Sequence, residues 1–174
     1  CETIGLSAFE NCQALESASF EPGSQLKSIG DVRSANGDSG VFSGCISLKS
    51  ITIPASCRYI GSNAFYGCTS LTDLSFEEGS QLEIIGWYAF MNCGLLHRIY
   101  MQNCSKLTRI MDKALYGNDE IYFLQMGATT PPMLGNNVFG VVGAYSVLKV
   151  PAGSESVYRA ASGWNAFSSI TAID

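Results

Sequence analysis

One histidine, His97, serves the whole 174-residue chain, so any triad chemistry would have to be built on it. Charge is scarce as well. Charged residues make up 14%, and 10 Lys and Arg stand against 15 Asp and Glu, a net charge of -5. A chain without a basic stripe is a poor partner for nucleic acid and for an anionic membrane surface. No apolar run approaches the roughly 20 residues that cross a bilayer, and no signal peptide precedes the first motif. There is no CxxC, no P-loop, no GxGxxG after a strand and no HExxH. These absences leave no cofactor to expect and no enzyme class to argue for.

What the chain does have is a repeat. Ile60 to Ile85 reads IGSNAFYGCTSLTDLSFEEGSQLEII, and the same skeleton runs from Ile4 to Ile29 and again from Ile85. Gly5, Ala8, Phe9, Cys12 and Leu15 of the first copy match Gly86, Ala89, Phe90, Cys93 and Leu96 of the third. A period near 25 means stacked supersecondary units, each burying its apolar face on its neighbours. The pattern is already running at Cys1, which stands before Ile4 as Leu26 stands before Ile29. A preceding covering segment is therefore expected, with this chain a fragment or processed form, and the open first rung is expected to self-associate.

Each unit splits in two. The piece L-x-x-I-x-F is a short strand, its last two inward positions two apart. Its inward sets are Leu15, Ala18 and Phe20; Leu48, Ile51 and Ile53; Leu71, Leu74 and Phe76; Leu96, Ile99 and Met101; Ile121, Leu124 and Met126. Tyr145, Leu148 and Val150 read as a sixth rung. The piece L-x-x-I-G is a second extended segment on the opposite wall. Its glycines, Gly5, Gly61 and Gly86, allow positive φ or close backbone approach at the corner. Phe9, Phe42, Phe65, Phe90 and Phe139 are expected to stack as an internal ladder, with Leu115 in the fifth place. Ser24-Gln25, Ser80-Gln81 and Ser105-Lys106 recur before a core leucine and suit local turn hydrogen bonds.

The seven cysteines follow the same logic. Cys12, Cys45, Cys68 and Cys93 share one repeat position, and Cys1 and Cys57 share another with Leu26, Leu82 and Leu107. These are places for a small buried apolar group, so free buried thiols are expected rather than disulfides. Only Cys104 falls in the polar stretch where Gly23 and Gly79 stand. A zinc site needs converging ligands, and a ladder spreads one thiol per rung, so no metal is expected.

Three segments depart from the repeat. About eight residues intrude between Gly30 and Val41, a polar, Gly-rich loop. Within it, Gly37-Asp38-Ser39-Gly40 looks like a protease nucleophile loop, but no histidine precedes it in the chain. Asp31 to Asp38 lacks the full acidic spacing of a calcium loop. In the fifth unit Asn118 replaces the cysteine, and Pro131-Pro132 interrupts the turn that follows. At the end, Ser154 can cap a helix of about Glu155 to Ala161 with Gly163 beyond it. Tyr158, Trp164, Phe167 and Ile170 make the bulky cap that a solenoid needs. The organisation read from this is repeats over 1–126, with the insertion at 31–40, then the last rung and cap over 127–174.

The pattern IGxxAFxxCxxLxxIxFxxxSxLxxIG resembles the BspA-like leucine-rich repeats of bacterial surface proteins. The tail, Leu148 to Ser154, Tyr158-Arg-Ala-Ala and Trp164-Asn-Ala-Phe, resembles the C-terminal segment of such proteins, and Thr129 to Phe139 fits it too. The resemblance implies a right-handed leucine-rich repeat solenoid of parallel short strands and turns, of about five repeats plus a C-terminal cap. It also implies secretion or display at the cell surface and a role in adhesion to host or neighbouring cells. It supplies no catalytic residue.

The outward strand positions form one continuous face. Its first half is small and polar, with Glu16, Ser17, Ser19, Lys49, Ser50, Thr52, Thr72, Asp73 and Ser75. Its second half gathers His97, Arg98, Tyr100, Tyr122, Phe123 and Gln125, followed by Ser146, Val147 and Lys149. Tyr and Arg on adjacent rungs offer contact area and donors, so these six form the candidate binding face. The partner expected is a host or bacterial surface protein or matrix. Two alternatives stand beside it: a glycan stacked on Tyr100, Tyr122 and Phe123, or a spacer in which those rings only pack under the Pro131-Pro132 loop or the cap.

Overall fold

A computed structural model describes residues 1–31, 40–118 and 121–173. The predicted loop therefore enters only through its ends, and residues 32–39, with Gly37, Asp38 and Ser39, lie outside the described residues.

The chain winds as a parallel solenoid with two strand walls. The narrow wall takes two residues from each turn: β1 (Thr3–Ile4), β3 (Ser28–Ile29), β5 (Tyr59–Ile60), β7 (Ile84–Ile85), β9 (Arg109–Ile110) and β11 (Met133–Leu134), paired in that order. The wider wall comprises β2 (Ser17–Ala18), β4 (Ser50–Ile53), β6 (Asp73–Phe76), β8 (Arg98–Met101), β10 (Ile121–Met126), β12 (Val142–Val150) and β13 (Ser169–Ala172). Strands β4, β6 and β8 alternate strictly between exposed and buried residues, as a half-buried sheet with one wet face requires. Ile51, Leu74, Ile99, Leu124 and Leu148 line one inward row, as the spacing predicts.

The corner between the walls is built from I-G-x-x-A-F-x-x-C. Phe9, Phe42, Phe65 and Phe90 stack at 5.1, 5.2 and 5.0 Å with planes within 9° of parallel. Leu115 continues the row and bridges to Phe139. Gly61 and Gly86 resolve as close approach, a Cβ on Gly86 falling 2.7 Å from the Gly61 carbonyl carbon and the Ser62 nitrogen, whereas Gly5 has nothing within 4 Å, so neither expected reason applies there. Positive φ falls two residues later, at Ser7, Asn63, Tyr88, Lys113 and Asn137.

The cysteine position has a polar task beside its packing. The thiols of Cys45, Cys68 and Cys93 donate to the carbonyls of Phe9, Phe42 and Phe65 in the preceding rung, at 3.0–3.1 Å. Asn118 does the same to Phe90 through Nδ2 at 3.0 Å, and its Oδ1 accepts the Cys93 N–H at 2.7 Å. The substitution at this rung thus keeps the donor and adds an acceptor, which a buried amide needs in order to be satisfied. All seven cysteines are free. Two expectations about them are corrected. Cys1 and Cys12, on the first described turn, are exposed. Cys104 is fully buried over the equally buried Ser80, whose hydroxyl lies 3.7 Å from its sulfur. The polar stretch therefore turns one residue inward. Burial pushes the Cys45 and Cys57 thiols up to about 11 and Cys104 to about 12, since the thiolate is the form that desolvation penalises. The serine-glutamine pairs make turn bonds: Ser24 and Ser80 Oγ accept the N–H groups of Leu26 and Leu82 at 3.3 Å.

At the far end, α1 (Glu155–Ala160) and a 3-10 turn, Trp164–Ala166, close the solenoid. The Ser154 side chain makes no capping bond; its carbonyl accepts from Tyr158 instead. Tyr158 and Trp164 are buried with their polar atoms satisfied by Ala128 O at 2.8 Å and Pro132 O at 2.9 Å. The segment after the helix was expected only as cap. It also adds strand β13, a seventh rung, with Ile170 opposite Leu148.

Candidate functional site

The wider wall is not one continuous sheet. Strands β2, β4 and β6 form one ladder, and β8, β10, β12 and β13 another. Between β6 and β8 the ladder is interrupted, while the narrow wall runs unbroken beneath through β5, β7 and β9. The interruption is visible where the chain enters the strand. In neighbouring turns the residues entering the strand reach back one rung, as Thr72 and Asp73 do to Lys49 O, and Tyr122 and Phe123 to His97 O. At the seam, the His97 N–H turns instead to Leu95 O at 3.0 Å. Asn103 partly bridges the gap, its Nδ2 donating to Phe76 O at 2.8 Å.

An open groove of about 430 Å³ lies over this seam. Thr72, Asp73 and Ser75 line one side; Leu95, His97, Arg98, Tyr100 and Tyr122 line the other. Four of the six residues singled out from the sequence therefore border one groove. The other two follow on the next rung, where register sets Phe123 beside Arg98 and Gln125 beside Tyr100. Tyr100 and Tyr122 are 40% and 39% exposed. His97, Phe123 and Gln125 are half-buried.

The side chains support one another. Tyr122 lies 6.1 Å from the His97 ring, and Tyr100 lies 5.3 Å from Phe123 at 44°. Arg98 Nε donates to the Tyr122 hydroxyl at 2.5 Å, and its guanidinium carbon lies 5.0 Å from that ring's centre. The Tyr122 hydrogen bond, then Tyr100, holds Arg98 above its ordinary basicity. Arg98 is thus a permanent cation laid on an aromatic shelf, an arrangement that fixes a long side chain before any partner arrives. The Pro132 carbonyl is occupied by Trp164, and the exposed tyrosines are not sealed under the cap.

Sequence reasoning misplaced two residues here. Tyr145 was expected to point inward, but it is 93% exposed, and Ser146, expected on the outer face, is buried. Ser146 Oγ accepts the Ser168 N–H at 3.1 Å. The register of β12 slips against β10: Ile121 pairs with Val142 and Phe123 with Val147. The extra residues of β12 bulge opposite Tyr122, and Tyr145 lies among them. A bulge re-aims side chains in this way, and the only sequence sign was the length of the strand. No group of His, Cys, Asp or Glu able to hold a metal occurs among the described residues, and no helix among them is long and apolar enough to cross a membrane.

No curated protein matches the chain. Its sequence does match the BspA type leucine rich repeat region over residues 1–121 and 35–160, with six copies. Leucine-rich repeat solenoids are generally non-catalytic scaffolds that bind protein, and repeats of this type are typical of extracellular or surface-associated proteins. With most of its length inside those matches, the chain belongs to the BspA type leucine-rich repeat family.

Proposed function

We propose that the chain is an exported, non-catalytic adhesion module displayed on a bacterial surface. It binds a protein of the host, of the matrix or of a neighbouring cell through the second half of its wider wall. The contact residues are His97, Arg98, Tyr100, Tyr122, Phe123 and Gln125, extended by Tyr145. The observation that carries this reading is the pair of exposed tyrosines on adjacent rungs, braced by Arg98 over an open groove. Exposed Tyr and Arg on a rigid support are what protein interfaces concentrate their energy in. A sugar would need coplanar platforms, whereas Tyr100 and Phe123 are tilted by 44° and Tyr122 is occupied by Arg98. That favours protein over glycan.

The test is binding of the wild type and a Tyr100→Ala/Tyr122→Ala/Phe123→Ala variant to arrays of matrix proteins and glycans, with circular dichroism to establish folding. A protein hit lost in the folded variant supports the reading. Hits confined to glycans, or a hit that the triple variant retains, overturn it. The first rung carries a second partner expectation. Leu6 and Phe9 are exposed there, and self-association of this 174-residue chain is expected in sedimentation, reduced by Leu6→Glu. A sedimentation coefficient constant across concentration would remove that claim.

A further inference from the structure

The groove carries opposite charges on its two sides, and that polarity says what kind of segment fits it. Arg98 stands on one side and Asp73 on the other. Among the described residues neither has an ion-pair partner: Arg98 gives its Nε to Tyr122, and the Asp73 carboxylate accepts the Thr72 hydroxyl at 2.8 Å. A guanidinium has five N–H donors, so Arg98 keeps donors to spare, and it is already held on the Tyr122 ring. Leu95, 49% exposed, adds an apolar surface to the Arg98 side of the groove. The charged side chains of the other surface pairs are spent on each other, Lys49 on Glu16 and Arg58 on Glu83.

Resting on the reading of this face as a protein-binding surface, we propose that the groove receives an extended segment of the partner in which an acidic side chain meets Arg98 and a basic side chain meets Asp73. Side chains two apart on an extended segment project to the same side about 7 Å apart, a spacing suited to charges on neighbouring rungs when Arg98 is drawn toward Tyr122 on the following rung and Asp73 is held by Thr72. Arginine suits a carboxylate because its fork matches the two oxygens. The same pair works by exclusion. Asp73 repels a uniformly acidic chain, including a carboxylated polysaccharide, and Arg98 repels a uniformly basic one.

The experiment uses the whole chain and short labelled peptides in fluorescence anisotropy at low salt. One peptide carries Glu-Thr-Lys at the centre of a Ser/Thr-rich sequence, the second Gln-Thr-Gln, the third Lys-Thr-Lys; hyaluronan serves as the carboxylated glycan. The Glu-Thr-Lys peptide is expected to bind about tenfold or more tighter than Gln-Thr-Gln, the scale of a rim-to-core charge contact. Arg98→Gln removes that preference, and Arg98→Glu transfers it to Lys-Thr-Lys. Arg109→Gln, the same charge change on the narrow wall, leaves binding unchanged. Equal binding of the charged and neutral peptides, a preference that survives Arg98→Gln, or tighter binding of hyaluronan overturns the inference. Its fate is separable from that of the adhesion reading. Array hits that persist in Arg98→Gln but vanish in the triple aromatic variant sink the charge inference alone. A charge-selective peptide response with no protein hit sinks the adhesion reading and keeps the groove chemistry.

Discussion

At the first turn Phe9 is 40% exposed, while at the last Phe139 is only 9% exposed beneath Trp164 and Phe167. Both rings occupy the same repeat position. The difference teaches that a repeat does not own its core: a ring is buried by its neighbours, and the sequence of a unit says little about how much it contributes. The last turn gains its cover from residues outside the repeat, and these bring hydrogen-bonding groups that must be satisfied once buried. Tyr158 and Trp164 meet that demand with the carbonyls of Ala128 and Pro132. A purely apolar lid would leave those two carbonyls without these donors at the point where Pro131-Pro132 interrupts the repeat.

The strongest way to break the comparison is to remove one ring from each end. Trp164→Ala should cost about 3–5 kcal/mol, the usual loss for a large buried aromatic, and it strands the Pro132 carbonyl besides. Phe9→Ala should cost about 1–2 kcal/mol, since much of its surface never leaves water. Urea unfolding of the two variants decides the matter, and equal losses would mean that the first turn is covered by something other than its own repeat.

Thiol chemistry sharpens the contrast without mutation. Cys1 and Cys12 are exposed, whereas Cys45, Cys57, Cys68, Cys93 and Cys104 are buried. Burial also raises Cys45 and Cys57 to about 11 and Cys104 to about 12, so at neutral pH those three hold almost no thiolate, the reactive form. Two thiols should react quickly with a disulfide reagent in the native protein and all seven after unfolding. Rapid reaction of a third would show that an inner rung opens.

Most of this architecture could be read from the residues, and the failures have physical reasons. The Phe ladder, the alternating strands and the two walls were legible because each is dictated by side-chain type at a fixed period. Tyr145 was misplaced because a bulge changes the register between Ile121 and Phe123, and periodicity assumes constant register. Cys104 was misread because a turn that looks polar in composition still directs one residue inward. The candidate face could be listed from the outward positions, but the groove could not, since it lies where the ladder between β6 and β8 breaks, a change of backbone pairing that side-chain period does not encode.

Acid should act on the capped half through Asp112. Its carboxylate accepts the Asn136 amide at 2.9 Å and the Asn136 N–H at 3.0 Å, joining two corner turns, and these bonds hold its pKa below the ordinary value of 3.8. A depressed folded pKa gives stability that is present above the unfolded value and lost as pH falls through the folded one. Wild type should therefore lose stability relative to Asp112→Ala below about pH 4, while the gap between them is constant near neutrality. A gap that is the same at pH 2.5 and pH 7 would show that the carboxylate contributes nothing through its charge.

The smallest expected effect lies in the corner itself. The residue two after the I-G position adopts a left-handed backbone in every described corner that shows the motif, from Ser7 to Asn137. Asparagine occupies it twice, which fits its tolerance of that region, but Lys113 sits there at φ 54°. A long side chain in this conformation is disfavoured by about 1 kcal/mol. Lys113→Asn should therefore stabilise the chain by up to about 1 kcal/mol, less whatever is lost from the contact of its ammonium with the Tyr116 ring at 5.8 Å. Lys113 meets Asn136 O and the Tyr116 ring, whereas Trp164 meets Pro132 O, Phe139 and Tyr158, so with no shared partner its gain should add to the loss in Trp164→Ala. Non-additive midpoints would mean that the corner turns transmit the cap's contribution along the stack rather than each rung depending on its neighbours alone.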